Sequence, residues 1–582
     1  MIKKSNIAII LVIYLILSIL KLKHLTLPYY WDDIYPYIPA SIYSATHNLS
    51  LALYGLDASH PPFFFLITAL AFFIFGITPV VAHIVIILFS GLAIFLSYQI
   101  GRYLFNKSIG LVSSLFLLSS PLFLAQSSIS QITIIELTLF VMSFYFFVSK
   151  RYIWFSIICS LLLLTKEIFI FVPFLAFFSL VFIKKEKITL KRSITLFSPL
   201  IVFFFWTLTN RFIYGWFLAP YGSAVIHPSL LFIFPNLIFI SKYLFFDDFR
   251  WLLTSIMILG PIISSENFKN HISPKKIFKS ILLFLIVFGT LHVFSIGFNK
   301  ILPLHFDNFN IYLDLFNKFM PLFSLLIVMV IFHWKELIKF WVNKKQSTFF
   351  IFIIFTTLIF SIFPWLPRYT LFIMPLYFLM AGYVLYETFK NKYILTLIVI
   401  LFISISIISL NGKRDDVGFW LENNYEFLDY IKVRQEAATY LMQNHEGKSI
   451  LARYPEFFDL SYPWVGYVQK EKSFNLQGID YYTFYELNNS LFNKPFGTSF
   501  NDRKISRAVN SRNDYEILYV NESSIDFEDL DLIYYSPQSY GLLYNDMEQL
   551  KEEKKLNLKL LKRFSSNNKY VEIYKVERNQ NN

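Results

Sequence analysis

The sequence predicts an α-helical polytopic membrane protein of about thirteen transmembrane helices, carrying a small C-terminal α/β domain. Two observations carry that prediction. The 582 residues are 56% hydrophobic and 20% aromatic but only 16% charged, with a mean hydropathy of +0.52, whereas soluble domains hold about 25% charged residues. The charge is also unevenly divided. Residues 1–410 hold 30 Lys and Arg against 13 Asp and Glu, while residues 411–582 hold 22 against 26, within a whole-chain net of +13. The basic excess therefore belongs to the apolar part, as loops flanking membrane helices require, and not to a nucleic-acid surface. The single cysteine, Cys159, lies in an apolar run. It excludes a disulfide framework and a Cys-based metal site.

An apolar run from about Ile7 to Leu20 follows Met1-Ile-Lys-Lys. Lys21-Leu-Lys-His24 closes it with no small-residue cleavage site, so it reads as a retained first transmembrane helix leaving the cytoplasm. The external first loop, 22–79, holds Asp32, Asp33, Asp57 and His60. Its stretch 62–76 is apolar but short, and is expected to lie in or dip into the outer leaflet. A full crossing there would put the basic clusters at Arg102, Lys107, Lys150-Arg151, Lys184-Lys185, Lys275-Lys276, Lys335 to Lys345 and Lys390 outside, against the positive-inside rule.

Further spans are expected at about 80–100, 109–125, 131–149, 153–166, 168–183, 193–210, 249–265, 278–298, 318–334, 348–364, 368–388 and 393–410. Thr165-Lys166-Glu167 forms a charged hairpin at the outer face. Residues 211–248 read as an outer loop with amphipathic stretches, and 229–265 is compatible with one span or two.

After Leu410 the composition turns to mixed charge, marking two domains: a transmembrane domain, 1–410, and a soluble extracytoplasmic α/β domain, 411–582. In the latter, 427–444 has helical spacing and 544–558 reads as a helix. The segments 449–453, 531–535 and 570–576 read as strands.

No Gly-rich phosphate loop, His-Glu-x-x-His, Cys-x-x-Cys or Gly-x-Ser-x-Gly is present, which argues against an ATP-driven pump and a zinc protease. The topology instead gathers charged residues on one face: Asp32, Asp33, Asp57, His60, Lys166, Glu167 and Arg368. Carboxylates beside Lys and Arg at headgroup depth suit a reaction on an amphiphilic phosphate. Lys166 and Arg368 have the chemistry to neutralise a phosphate leaving group. A carboxylate among the aromatics of Leu27 to Tyr37 has the chemistry to take a proton from an acceptor hydroxyl or amine. Each residue also has a plain structural explanation. Asp57 and His60 precede a helix that opens at Pro61, Lys166-Glu167 is a self-neutralising pair, and Arg368 can anchor a helix at the interface.

These elements occur in an order: Asp32-Asp33, His60-Pro61-Pro62 to Phe75-Gly76, Ser120-Pro-Leu-Phe123, Leu164-Thr165-Lys166-Glu167, and Arg368-Tyr369 with Pro375. In that order the chain resembles the GT-C polytopic glycosyltransferases of the protein O-mannosyltransferase and lipid A aminoarabinose transferase superfamily (glycosyltransferase family 39-like). The resemblance implies transfer of a sugar from a polyprenyl-phosphate-linked donor to an acceptor on the non-cytoplasmic side, with inversion. It makes Asp32 the base and Asp33 its partner, and sets Lys166 and Arg368, with Glu167 and Tyr369 beside them, against the donor. Many relatives carry Arg-x-Asp in the helix after Ser-Pro-Leu-Phe, where this chain has Gln131 and Thr133. Glu136, one turn on, is the candidate replacement. A divalent metal is a candidate cofactor, with Asp32, Asp33 and His60 as its ligands; a nucleotide cofactor is not expected.

The expected function is thus an integral glycosyltransferase of the cell (plasma or inner) membrane. Its acceptor would be an envelope lipid, glycan or protein, its N-terminus would be cytoplasmic, and nucleic acid is not among its partners. The alternative is a transporter or flippase of lipid-linked sugars, which would place ionisable residues near the bilayer midplane. An assembly protein working through its soluble tail would need only one anchoring helix.

Overall fold

The computed structural model describes residues 4–34, 37–49, 60–214, 217, 230–264, 324, 331, 344–362, 366–412, 418–453, 455–470, 473–478, 529–537, 551–552 and 556–577. It is mostly helical, with a small sheet domain at the C-terminal end. Among the described residues, four helices are long and apolar enough to cross a bilayer: Asn6–His24, Pro79–Leu104, Leu190–Phe212 and Lys392–Leu410.

The helical part runs as α1 (Lys4–Lys21), α2 (Tyr37–Thr46), α3 (Phe63–Phe75), α4 (Pro79–Leu104), α5 (Lys107–Ser119), α6 (Pro121–Gln126), α7 (Thr133–Val148) and α8 (Tyr152–Leu163). It continues with α9 (Phe171–Phe178), α10 (Leu190–Tyr214), α11 (Leu230–Ser241), α12 (Arg250–Ser264), α13 (Lys344–Phe360), α14 (Met374–Thr388) and α15 (Lys392–Leu410). α3 has 13 residues, about 20 Å at 1.5 Å per residue. That is shorter than the ~30 Å hydrocarbon core. Its Phe64, Phe65, Ala69 and Phe72 are buried while Phe73, Ile74 and Phe75 face outwards.

Several expectations change. The predicted span 109–125 is broken where Ser120 leaves the helical region and Pro121 opens a new helix, as proline does at a first helical position. The predicted loop 211–248 is largely helical where described: α11 runs into a π turn, Lys242–Phe246. Residues 229–265 therefore hold two helices, separated at Asp248 and Phe249, both at positive φ. The predicted spans 278–298 and 318–334 lie outside the described residues but for 324 and 331.

The two ends of the bundle differ in charge. At one end, Arg102 donates to Asn6 Oδ1 (2.7 Å), joining the start of α1 to the close of α4. Glu186 at the same end pairs with Lys150 (3.2 Å) and Arg192 (2.9 Å). The opposite end gathers the turns around residues 31–33, 127–132, 164–167, 366–370 and 418–423.

The tail contains α16 (Glu426–Asn444), α17 (Glu456–Ser461) and strands β1 (Ser449–Ala452), β2 (Asn475–Gly478), β3 (Leu532–Tyr535), β4 (Asn557–Ser566) and β5 (Lys569–Glu577). The strand order is β2-β1-β3-β5-β4. β1 is parallel to both neighbours, and β5 is antiparallel to both β3 and β4. The predicted helix 544–558 therefore ends too late. Asn557 and Leu558 belong to β4, which turns into β5 through Asn567 at φ +54, the left-handed geometry that tight hairpins need and Asn tolerates.

The division near residue 410 does not separate the cores. Tyr29, Tyr30, Trp31, Ile34 and Ile38 of the first loop share one apolar cluster with Phe427, Tyr430, Ile431, Phe458 and Val465 of the tail. The Tyr29 N–H donates to the Val465 carbonyl (2.9 Å). Gly466, at φ +100, lies so close to Pro28 that an added Cβ would approach its Cα to 3.1 Å.

Within the bundle, α4 and α5 meet at two facing glycines. A Cβ on Gly101 would come 2.6 Å from the Gly110 Cα, and one on Gly110 would come 2.5 Å from the Tyr98 carbonyl. Both obstacles are backbone, so neither can rotate away. Gly110→Ala should destabilise the protein by about 1–3 kcal/mol, seen as a lower midpoint of thermal unfolding in detergent. A midpoint equal to wild type would refute this contact.

Candidate functional site

Asp32 and Asp33 sit on a single 3₁₀ turn, Trp31–Asp33. Trp31 is at φ +49, a conformation that costs a non-glycine residue of order 1–3 kcal/mol and persists only where the surroundings enforce it. Here the surroundings are the aromatic cluster shared with the tail. The turn sends the neighbouring carboxylates in different directions. Asp32 retains 26% side-chain exposure, whereas Asp33 is buried.

Asp33 Oδ2 accepts the Ser130 N–H (3.1 Å) and the Tyr30 N–H (3.3 Å). It thus ties the first loop to the turn before α7. Burial, reinforced by the nearby Glu422, raises its carboxyl well above the usual range despite those two donors.

Asp32 meets Arg368, which lies on the 3₁₀ turn Pro367–Thr370. Arg368 Nη2 donates to Asp32 Oδ2. Arg368 Nη1 donates to Gln131 Oε1 (2.8 Å) and to Glu422. Glu422 also accepts from Gln131 Nε2 (2.8 Å) and is fully buried. Burial pushes its carboxyl up to about 7, with Arg368 acting against that rise.

A second cation stands next to the first. Lys166 Nζ lies 3.1 Å from Glu136 Oε1 and 4.3 Å from the centre of the Tyr369 ring, a cation–π distance. Burial opposes its charge, but Glu136 and Tyr369 outweigh it and hold the amine above its ordinary value. Glu167 pairs instead with His60 (3.4 Å), whose ring stacks on Tyr37. Burial would raise Glu167, yet His60 holds it below the ordinary carboxylate value.

The structure thus brings Asp32, Asp33, Arg368, Tyr369, Lys166, Glu136, Glu167 and His60 to one end of the bundle. Asp57 lies outside the described residues. Glu136 pairs with Lys166, while Gln131 contacts both Arg368 and Glu422. Among the described residues no three His, Cys, Asp or Glu groups gather as metal ligands. Asp32, Asp33 and His60 are each turned to a different partner, so they do not fit a shared cation site. Glu422 was not legible in the sequence. It lies in a linker of mixed charge, 54 residues beyond the arginine it touches.

Residues 59–210 match the family described as dolichyl-phosphate-mannose-protein mannosyltransferase. That segment carries three of the five motifs on which the sequence resemblance rests: His60 to Gly76, Ser120 to Phe123 and Leu164 to Glu167. The match supports the GT-C superfamily. No curated protein matches the chain. Among solved structures, ArnT from Cupriavidus metallidurans bound to undecaprenyl phosphate is similar at 11% identity and a TM-score of 0.49, covering 98% of this chain and 97% of that one. The Archaeoglobus fulgidus oligosaccharyltransferase tethered with an acceptor peptide is similar at 13% identity and a TM-score of 0.45, covering 92% of this chain and 69% of that one.

The buried Asp33 yields a pH prediction. A folded-state carboxyl raised above its unfolded value stabilises the fold below the unfolded pKa and loses that contribution as pH rises towards the folded one. Asp33→Asn removes this titration, so its stability relative to wild type should improve steadily as pH rises above the ordinary carboxylate range. Asp33→Ala strands two buried N–H groups and should cost about 1–3 kcal/mol. Unfolding midpoints measured from pH 4 to pH 8 (~4 and ~8 as the working range of carboxyl and imidazole titration) check both outcomes.

Proposed function

We propose that the protein is an integral-membrane glycosyltransferase that moves a hexose or pentose from a polyprenyl-phosphate-linked donor to a cell-envelope lipid, glycan or protein. The observation that carries this reading is the partly exposed Asp32 held against Arg368, with Lys166 one residue layer away over Tyr369. An acid and two cations at one end of an apolar bundle suit a reaction that needs a base and a phosphate anchor together.

In the proposed reaction the acceptor hydroxyl or amine attacks the anomeric carbon from the face opposite the phosphate. Its proton passes to Asp32 as the new bond forms. The bond from the anomeric carbon to the phosphate oxygen breaks, and that oxygen keeps the electron pair. One displacement inverts the anomeric configuration. Arg368 offers a planar fork suited to two phosphate oxygens, and Lys166 supplies a point charge. In this scheme Asp33 positions the turn and takes no proton.

The proposed orientation sets the N-terminus and the basic end in the cytoplasm, with the site and tail outside, in the cell (plasma or inner) membrane. It is supported by the charge asymmetry of the two ends. A transporter is less well supported, because the candidate site groups stand at one end of the bundle.

The decisive assay incubates detergent-solubilised protein with labelled polyprenyl-phosphate sugars and envelope acceptors. Asp32→Asn should lower transfer by about a hundredfold to ten-thousandfold, the usual worth of a general base, with donor binding retained. Arg368→Lys should raise the KM for donor by losing the fork. Transfer unchanged in Asp32→Asn would sink the assignment. A reporter fused after Asn582 should be active only outside the cytoplasm.

A further inference from the structure

Glu422 belongs to the tail, yet its carboxylate sits in the middle of the site. It lies on the short 3₁₀ segment Gly418–Asn423, just before α16. Oε1 takes the Gln131 amide at 2.8 Å. Oε2 takes Arg368 Nη1 and lies 3.4 Å from the Gln126 amide, whose nitrogen also reaches the Glu422 carbonyl at 3.2 Å. Side chain and backbone are therefore both gripped by the turn between α6 and α7.

The consequence for Arg368 is geometric. A guanidinium on a three-methylene stem has many orientations, and one acceptor does not fix its plane. Here Nη1 is held from one side by Glu422 and Gln131, while Nη2 points to Asp32. Without Glu422 the acidic partner remaining among the described residues would be Asp32, and the arginine would lie over the base.

We propose that Glu422 is a positioning residue of the transferase site, holding the Arg368 fork so that it serves both Asp32 and the donor phosphate. The tail domain is thereby an integral part of the active centre. This rests on the glycosyltransferase reading above. The groups facing Glu422 are Arg368 from the 367–370 turn, Asp32, Asp33 and Tyr30 from the first loop, and the neutral amides of Gln126 and Gln131.

The ionised carboxylate is the form that accepts from both Gln131 and Arg368. Activity should therefore rise with pH as Glu422 ionises.

The test compares wild type, Glu422→Gln and the double variant Glu422→Gln with Gln131→Glu in the transfer assay. The double variant moves the carboxylate to the other side chain already 2.8 Å from Arg368 Nη1. Glu422→Gln should lower kcat/KM for the donor by about tenfold to a hundredfold, the usual effect of a small misplacement, and should flatten the rise near neutrality. The double variant should recover at least half of that loss on a logarithmic scale (~half, within the range expected of coupled sites).

A residue that only stabilises the fold would shift the unfolding midpoint but leave the pH profile of the folded fraction unchanged. Wild-type kcat/KM in Glu422→Gln overturns the proposal, as does a double variant no better than the single one. Absence of transfer by the wild-type protein from every donor overturns the glycosyltransferase reading, and this proposal with it.

Discussion

A buried arginine shared by two carboxylates is the constraint around which this end of the molecule is built. Removing a guanidinium from water costs several kcal/mol unless fixed acceptors replace the lost solvation. Arg368 finds its acceptors at Asp32 and Glu422, which lie on opposite sides of it in sequence. The first loop and the tail must both be docked before the arginine is satisfied. The aromatic cluster that Tyr29, Tyr30 and Trp31 form with Phe427 and Tyr430 supplies the apolar burial for that docking. Packing and electrostatics thus support one another, because neither the loop nor the tail covers this arginine alone.

The same end concentrates irregular backbone. 3₁₀ turns occur at Trp31–Asp33, Glu167–Ile170, Pro367–Thr370 and Gly418–Asn423, and each carries at least one charged residue of the site. A regular helix satisfies its own backbone and spaces its side chains by a fixed rise. A short 3₁₀ turn releases both restrictions and can set Arg368 and Tyr369 against different cations and anions. Irregular backbone in lipid would leave polar groups unsatisfied. At the end of the bundle, covered by the tail, they find partners, as the N–H groups of Ser130 and Tyr30 do at Asp33.

The sequence made the helices legible because long apolar runs and the placement of Lys and Arg are local signals. α4, α10 and α15 follow from them almost directly. α11 did not, since Pro235 and the flanking Trp216, His227 and Asp247-Asp248 resemble the composition of an interfacial loop. The site was legible in part. Asp32, Lys166 and Arg368 stand out as charges beside apolar runs, and the resemblance supplied their order. Which groups pair could not be read, because pairing is decided by tertiary contacts. Glu136 goes to Lys166 and not towards the Asp32 turn, and Glu422 has no neighbouring motif that would distinguish it from Asp415, Asp416 or Glu426.

Asp32 and Asp33 show most directly how one residue type acquires two characters. They differ by one position and share a turn, so neither intrinsic acidity nor sequence context separates them. The turn at Trp31 aims one carboxylate towards a guanidinium and some solvent, and the other into a buried corner where the backbone N–H groups of Tyr30 and Ser130 reach it. Arg368 donates directly to Asp32, while burial favours the protonated form of Asp33. A proton-sharing dyad would need the two carboxyls to face each other, and here they diverge. The second carboxylate that borders Arg368 is Glu422, with Gln131 between them. The helix opening at Thr133 supplies no acid beside Gln131, and that acid arrives from the tail instead. If the chemistry is sugar transfer, the tail cannot be a mere cover over a finished site, because the charge balance at Arg368 is incomplete without it.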